Sequence, residues 1–175
     1  MGIKMWPSLL QQVVMGAPTI PMPNKGWESG DAGGWTFTGS TGIPAVTTDN
    51  PRSGSYDLHF NTASSSVRTG VATWTLPAAL LAAIKGRTVK FTVYRRCALV
   101  FSGGVGSYQR IGLNWGTGTG YTTIPFTPYS VYDQVLVQQL IPAAATKLDF
   151  IIEWYKAGGG SIYHLDIDDM DAVAS

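Results

Sequence analysis

Charge is scarce in this chain, and cysteine, histidine and long apolar runs are scarcer. Only 13% of the 175 residues are charged, and twelve Lys and Arg against eleven Asp and Glu leave a formal net charge of +1. Without a basic excess there is no electrostatic footprint for nucleic acid or for an anionic membrane. The lone Cys97 excludes an intramolecular disulfide and, ending an alternating apolar run, reads as a small buried hydrophobe. No run approaches the ~20 apolar residues of a membrane-spanning helix. The opening, Met1 to Pro7, lacks the features of a secretory signal, because Pro7, Gln11 and Gln12 break the apolar stretch. His59 and His164 fall on separate strand patterns without metal-ligand spacing, and no Gly-x-Ser-x-Gly nucleophile elbow occurs. These absences predict a protein assembled in the cytoplasm that is not an enzyme.

Glycine (21), Trp (6) and Tyr (8) are plentiful instead, as turns and half-buried rings require in a multi-stranded sheet protein. From Asn24 the pattern is strand and turn. Trp35–Thr38, Tyr56–Phe60 and Val71–Leu76 alternate, as do Arg87–Cys97, Arg110–Trp115, Gln134–Ile141, Lys147–Trp154 and Ser161–Asp168. Pro77 to Gly86 reads as a short helix with Leu80, Leu81 and Ile84 on one face. The expectation is an all-β antiparallel sandwich (jelly roll) of about eight or nine strands with one short helix, spanning 24–175.

Residues 1–23 differ. They carry one charge, Lys4, beside Met5, Trp6, Leu9, Leu10, Val13 and Val14, and Pro18, Pro21 and Pro23 force an extended path. An apolar extended N-terminal arm of this kind has to lie on its own domain or on a neighbouring subunit.

Three stretches resemble the family 4/9-type carbohydrate-binding modules, which are galactose-binding-like jelly rolls. They are Asn24-Lys25-Gly26-Trp27-Glu28 followed by Gly34-Trp35, then Ser53-Gly54-Ser55-Tyr56-Asp57-Leu58, and the closing Ile162-Tyr163-His164-Leu165-Asp166-Ile167-Asp168-Asp169-Met170. The resemblance spans about 24–173 and implies the jelly roll, with Trp27 and Trp35 in its core. It also implies a structural calcium (Ca2+) held by Glu28 with Asp169 or Asp168, helped by carbonyls near Ser53 to Tyr56. A solvated carboxylate edge, or ion pairs to the basic run of Lys85, Arg87, Lys90, Arg95 and Arg96, is the alternative for the acidic closing strand.

Sugar binding needs exposed rings for the apolar pyranose faces and planar polar groups for hydroxyls. Trp115, Tyr121 and Tyr155 are the leading ligand-binding candidates, with Trp74, Tyr129 and Tyr132 as further rings and Arg110, Asn114, Gln138 and Glu153 as polar partners. The functional expectation puts a virion structural protein first, a bacteriophage capsid decoration (cement) protein. It is localised in the virion, forms a homo-oligomer, and uses its arm (Met5, Trp6, Leu9, Leu10, Val13, Val14) to hold the major capsid protein or other virion subunits. The alternative is a carbohydrate-binding module or lectin-like adhesin with a glycan as partner.

Overall fold

The computed structural model describes residues 18–40, 43–61, 68–98, 106–124, 131–157 and 164–175. The arm residues Met5, Trp6, Leu9, Leu10, Val13 and Val14, and the ring of Tyr129, lie outside them. In chain order the elements are β1 (Thr36–Ser40), β2 (Ala45–Thr47), β3 (Asp57–Asn61), β4 (Arg68–Thr75), α1 (Ala78–Ile84), β5 (Thr88–Ala98), β6 (Tyr108–Asn114), β7 (Thr119–Ile124), β8 (Asp133–Leu140), β9 (Asp149–Lys156) and β10 (His164–Ala174). Two antiparallel five-stranded sheets, β1-β4-β9-β6-β7 and β2-β3-β10-β5-β8, pack face to face as a jelly-roll sandwich.

Alternation builds the core. Leu58 and Phe60, Val89, Phe91 and Val93, Ile111 and Leu113, Phe150, Ile152 and Trp154, and Leu165 and Ile167 all point between the sheets. Trp27 and Trp35 join them, ring centroids 5.5 Å apart, as the family resemblance implies. The described strands number ten rather than eight or nine, because neither short β2 nor β7, which starts within a Gly-rich run, carries a long alternating signature. The closing strand also runs further than its pattern suggests. A bulge between Asp168 and Asp171 inserts one residue against β5, with Asp169 left-handed at φ 43°, so the inward parity passes to Met170, Ala172 and Ala174.

The helix forms where expected, one turn shorter than the pattern. Pro77 precedes it, Leu81 and Ile84 are buried, and Gly86 at φ 76° ends it. Residues 18–23, grouped with the arm in the sequence reading, are packed: Thr19 bridges Val173, and Ile20 and Met22 are buried in the core. No helix among the described residues is long and apolar enough to cross a membrane.

Candidate functional site

The outer face of the β1-β4-β9-β6-β7 sheet carries the side chains that alternate with the core. On β6 these are Tyr108, Arg110 and Asn114, interleaved with buried Gln109, Ile111 and Leu113. On β9 they are Asp149, Ile151, Glu153 and Tyr155, and on β7 Thr119, Tyr121 and Thr123. Register sets the rows. Tyr108 lies opposite Tyr155, Arg110 opposite Glu153, and Asn114 opposite Asp149, while Tyr121 lies opposite Gly112.

Those rows join into a continuous ladder. The rings of Tyr155 and Tyr108 stack with centroids 5.2 Å apart. The Arg110 guanidinium lies 4.7 Å from the Tyr108 ring centroid and 3.9 Å from that of Tyr121. Glu153 fixes it from beside: Arg110 Nε donates to Glu153 Oε2 at 2.8 Å, and the Tyr108 hydroxyl donates to Oε1 at 2.9 Å. Burial, and next the hydrogen bond to Glu153, raise the Tyr108 phenol above its ordinary pKa. One row further, Asp149 accepts from Asn114 at 3.2 Å and from Thr75 at 2.8 Å and pairs with Lys147. The face therefore offers half-buried rings, a planar cation and amide and carboxylate groups over an area three strands wide and about 20 Å long.

The structure gathers Tyr121, Tyr155, Arg110, Asn114 and Glu153 from the sequence candidates and leaves others elsewhere. Trp115, a leading candidate, packs on the core side, its ring over Gly118 in the β6–β7 turn. It follows Asn114 with opposite parity, which carries it off the ladder. Trp74 is in the core beside Phe150. Gln138 is exposed on the other sheet, and Tyr132 donates to the Asn50 carbonyl at 2.6 Å, also away from the ladder. Tyr108 was missed because the strand pattern was begun at Arg110. Beginning it two residues earlier places Tyr108 on the same face.

The carboxylates assigned to calcium meet at the opposite sheet, around the turn 52–56. Asp168 Oδ2 accepts from the Arg52 and Ser53 amides at 2.8 and 3.0 Å, and Oδ1 from the Asp169 amide at 2.7 Å. Asp169 accepts from Ser53 Oγ at 2.8 Å and pairs with the Arg52 guanidinium, which lies over the Tyr94 ring. Glu28 accepts from the Ser55 amide at 2.9 Å. Burial raises the Asp168 pKa, and the amides of Ser53, Asp169 and Arg52 oppose that shift. Of the basic run, Arg96 pairs with Asp166 and Arg95 with Asp133.

No protein-family model and no curated protein matches the chain. Solved structures do. A family 61 carbohydrate-binding module, solved with β-1,4-galactotriose, aligns with TM-score 0.64 at 12% identity over 89% of this chain and 98% of that one. The family 22 xylan-binding domain of Xyn10C from Paenibacillus barcinonensis aligns with TM-score 0.60 at 12% identity over 90% and 95%. The enzymatically active domain of tailspike protein 4 from bacteriophage CBA120 aligns with TM-score 0.62 at 11% identity, over 88% of this chain but 21% of that one. At these identities the likeness is one of fold.

Proposed function

We propose that this chain is a carbohydrate-binding module that holds a glycan on the outer face of the β1-β4-β9-β6-β7 sheet and does not cleave it. The observation that carries this reading is the unbroken ladder Tyr155–Tyr108–Arg110–Tyr121 on one open sheet face. Rings stack on pyranose faces. Within the ladder the inner faces are taken by ring on ring and by the guanidinium, so the terminal rings Tyr155 and Tyr121 serve the sugar. Arg110 and Asn114 supply directional hydrogen bonds to hydroxyls. A face longer than one sugar suits an oligosaccharide. The sandwich is shared with a module solved with β-1,4-galactotriose and with a xylan-binding domain, which supports the same reading. Binding without hydrolysis agrees with Glu153, whose two oxygens are already engaged by Arg110 and Tyr108. The proposal predicts saturable binding in isothermal titration against soluble β-1,4-galactan or xylan, lost in Tyr155→Ala with Tyr121→Ala. A folded wild-type chain silent on a broad glycan array would overturn it.

The likeness to a phage tailspike domain favours a second reading, in which the same face serves a virion-borne, oligomeric adhesin. The capsid-decoration form of that reading draws on the apolar composition of residues 1–17. Its measurement is incorporation into particles with and without that segment.

Calcium is proposed only as a structural ion at Glu28, Asp168 and Asp169. Their oxygens have the chemistry calcium prefers, and binding there would draw Asp169 away from Arg52. A melting temperature that rises with calcium in the wild type and not in Glu28→Gln is the expected result.

A further inference from the structure

The sheet β2-β3-β10-β5-β8 also carries polar groups on its outer face, but here they are buried. Asp57 and His59 alternate with the core residues Leu58 and Phe60 on β3, and Asp166 lies directly across from His59 on β10. Their exposures are 0%, 7% and 0%. Such sites hold charge only when something of opposite sign, or a donor, meets every oxygen.

Part of the account closes. Asp57 Oδ1 accepts from the Thr47 hydroxyl at 2.9 Å. His59 Nδ1 and Asp166 Oδ1 are 2.6 Å apart, and the outer oxygen of Asp166 takes the Arg96 guanidinium at 3.2 Å. The second oxygen of Asp57, Oδ2, is buried and accepts no hydrogen bond. An unpaired carboxylate oxygen in a dry site is costly and calls for a partner.

We propose that Asp57, His59 and Asp166 form a buried site for a divalent transition metal, with Zn2+ the ion their chemistry fits. One donor atom from each residue lies within 4.8 Å of the others. An imidazole nitrogen with two carboxylates suits zinc, which accepts three protein ligands and leaves one position open. Calcium, which asks for six to eight oxygens, does not match. In a tetrahedral site with bonds of ~2.0–2.1 Å, neighbouring ligand atoms sit about 3.3 Å apart. The metal would therefore take the place of the proton between His59 and Asp166, and those atoms would part by roughly 0.7 Å, a side-chain rotation. The outer shell is in place, since the Thr47 hydroxyl and the Arg96 guanidinium orient the two carboxylates. The ion would tie β3 to β10, at the opposite sheet from the glycan face.

The test uses the tag-free full chain, stripped with a chelator and titrated with zinc chloride. One equivalent of zinc should bind and raise the melting temperature by several degrees. His59→Gln and Asp57→Asn should weaken zinc binding at least tenfold, while Glu28→Gln should retain it. Should either variant fail to fold, Co2+ added to the wild type should give the intense visible absorption of a four-coordinate site. A folded wild type that takes up no zinc, zinc uptake that survives His59→Gln, or a Co2+ spectrum like that of the free hydrated ion each overturns the proposal. The glycan titration reads a different sheet, so the two proposals fail independently.

Discussion

Gly112 on β6 lies directly beneath the ring of Tyr121 on β7. A Cβ on this glycine would meet Tyr121 Cδ1 at 2.3 Å and Cε1 at 2.4 Å. The missing side chain is what lets that edge of the ring come down on the strand while the ring reaches the Arg110 guanidinium. Gly112→Ala should therefore lift Tyr121 off the face without touching any ligand itself. Glycan affinity should fall about tenfold, the equivalent of ~1.4 kcal/mol, as in Tyr121→Ala. The added Cβ also comes within 3.1 Å of the Gly120 carbonyl oxygen, so the unfolding free energy should fall by about 1–2 kcal/mol. Titration calorimetry beside urea unfolding separates the two effects. Unchanged affinity in both variants would remove Tyr121 from the site.

Arg110 holds the ladder through its plane as well as its charge. A lysine keeps the charge but gives up the flat surface that lies over Tyr108 and Tyr121 and the Nε–H bond to Glu153. Arg110→Lys should then lose nearly as much glycan affinity as Arg110→Ala, about five- to tenfold by titration. Full affinity in the lysine variant would reduce the guanidinium to a charge.

Much of this architecture was legible because period-two alternation is a local signal. Val89, Phe91 and Val93 mark an inward face without reference to any other strand, and so do Leu58 and Phe60. What stayed hidden depends on pairing. Which strands lie side by side decides that Tyr108 meets Tyr155 and that Asp166 meets His59, and residues 47 to 107 positions apart carry no mark of it. Trp115 lies one residue past Asn114, and a one-residue shift exchanges the two faces of a sheet. The bulge at Asp169 does the same within β10. A left-handed Asp in an apolar-Asp-Asp-apolar run leaves no alternation signal, so the inward turn of Met170 could only be seen in the fold.

The turn after Arg52 depends on Gly54. Its φ is 62°, and a Cβ there would fall 2.1 Å from Glu28 Oε1. Gly54→Ala therefore combines the left-handed penalty of ~1–2 kcal/mol with displacement of the carboxylate that accepts the Ser55 amide. A loss of ~2–4 kcal/mol in urea unfolding is expected. Glu28→Gln keeps an acceptor oxygen and should cost only about 1 kcal/mol. If Gly54→Ala proves as mild as Glu28→Gln, the turn does not hold the conformation described.

Lys156 ends β9 with the inward parity of Phe150, Ile152 and Trp154, and it is fully buried. Burial lowers its pKa, and Arg68, paired with it across the sheet, lowers it further from the ordinary 10.5. A folded-state pKa below the unfolded one means that the unfolded chain holds the proton to higher pH. Between the lowered value and about 10.5 the unfolded state thus binds more protons, and stability rises with pH through that window. Lys156→Met removes the group and with it this rise. Urea midpoints measured from about pH 7 to about pH 10 should climb in the wild type relative to the variant, the difference cancelling whatever tyrosine ionisation contributes to both. Parallel profiles would mean that Lys156 keeps its ordinary protonation in the folded sandwich.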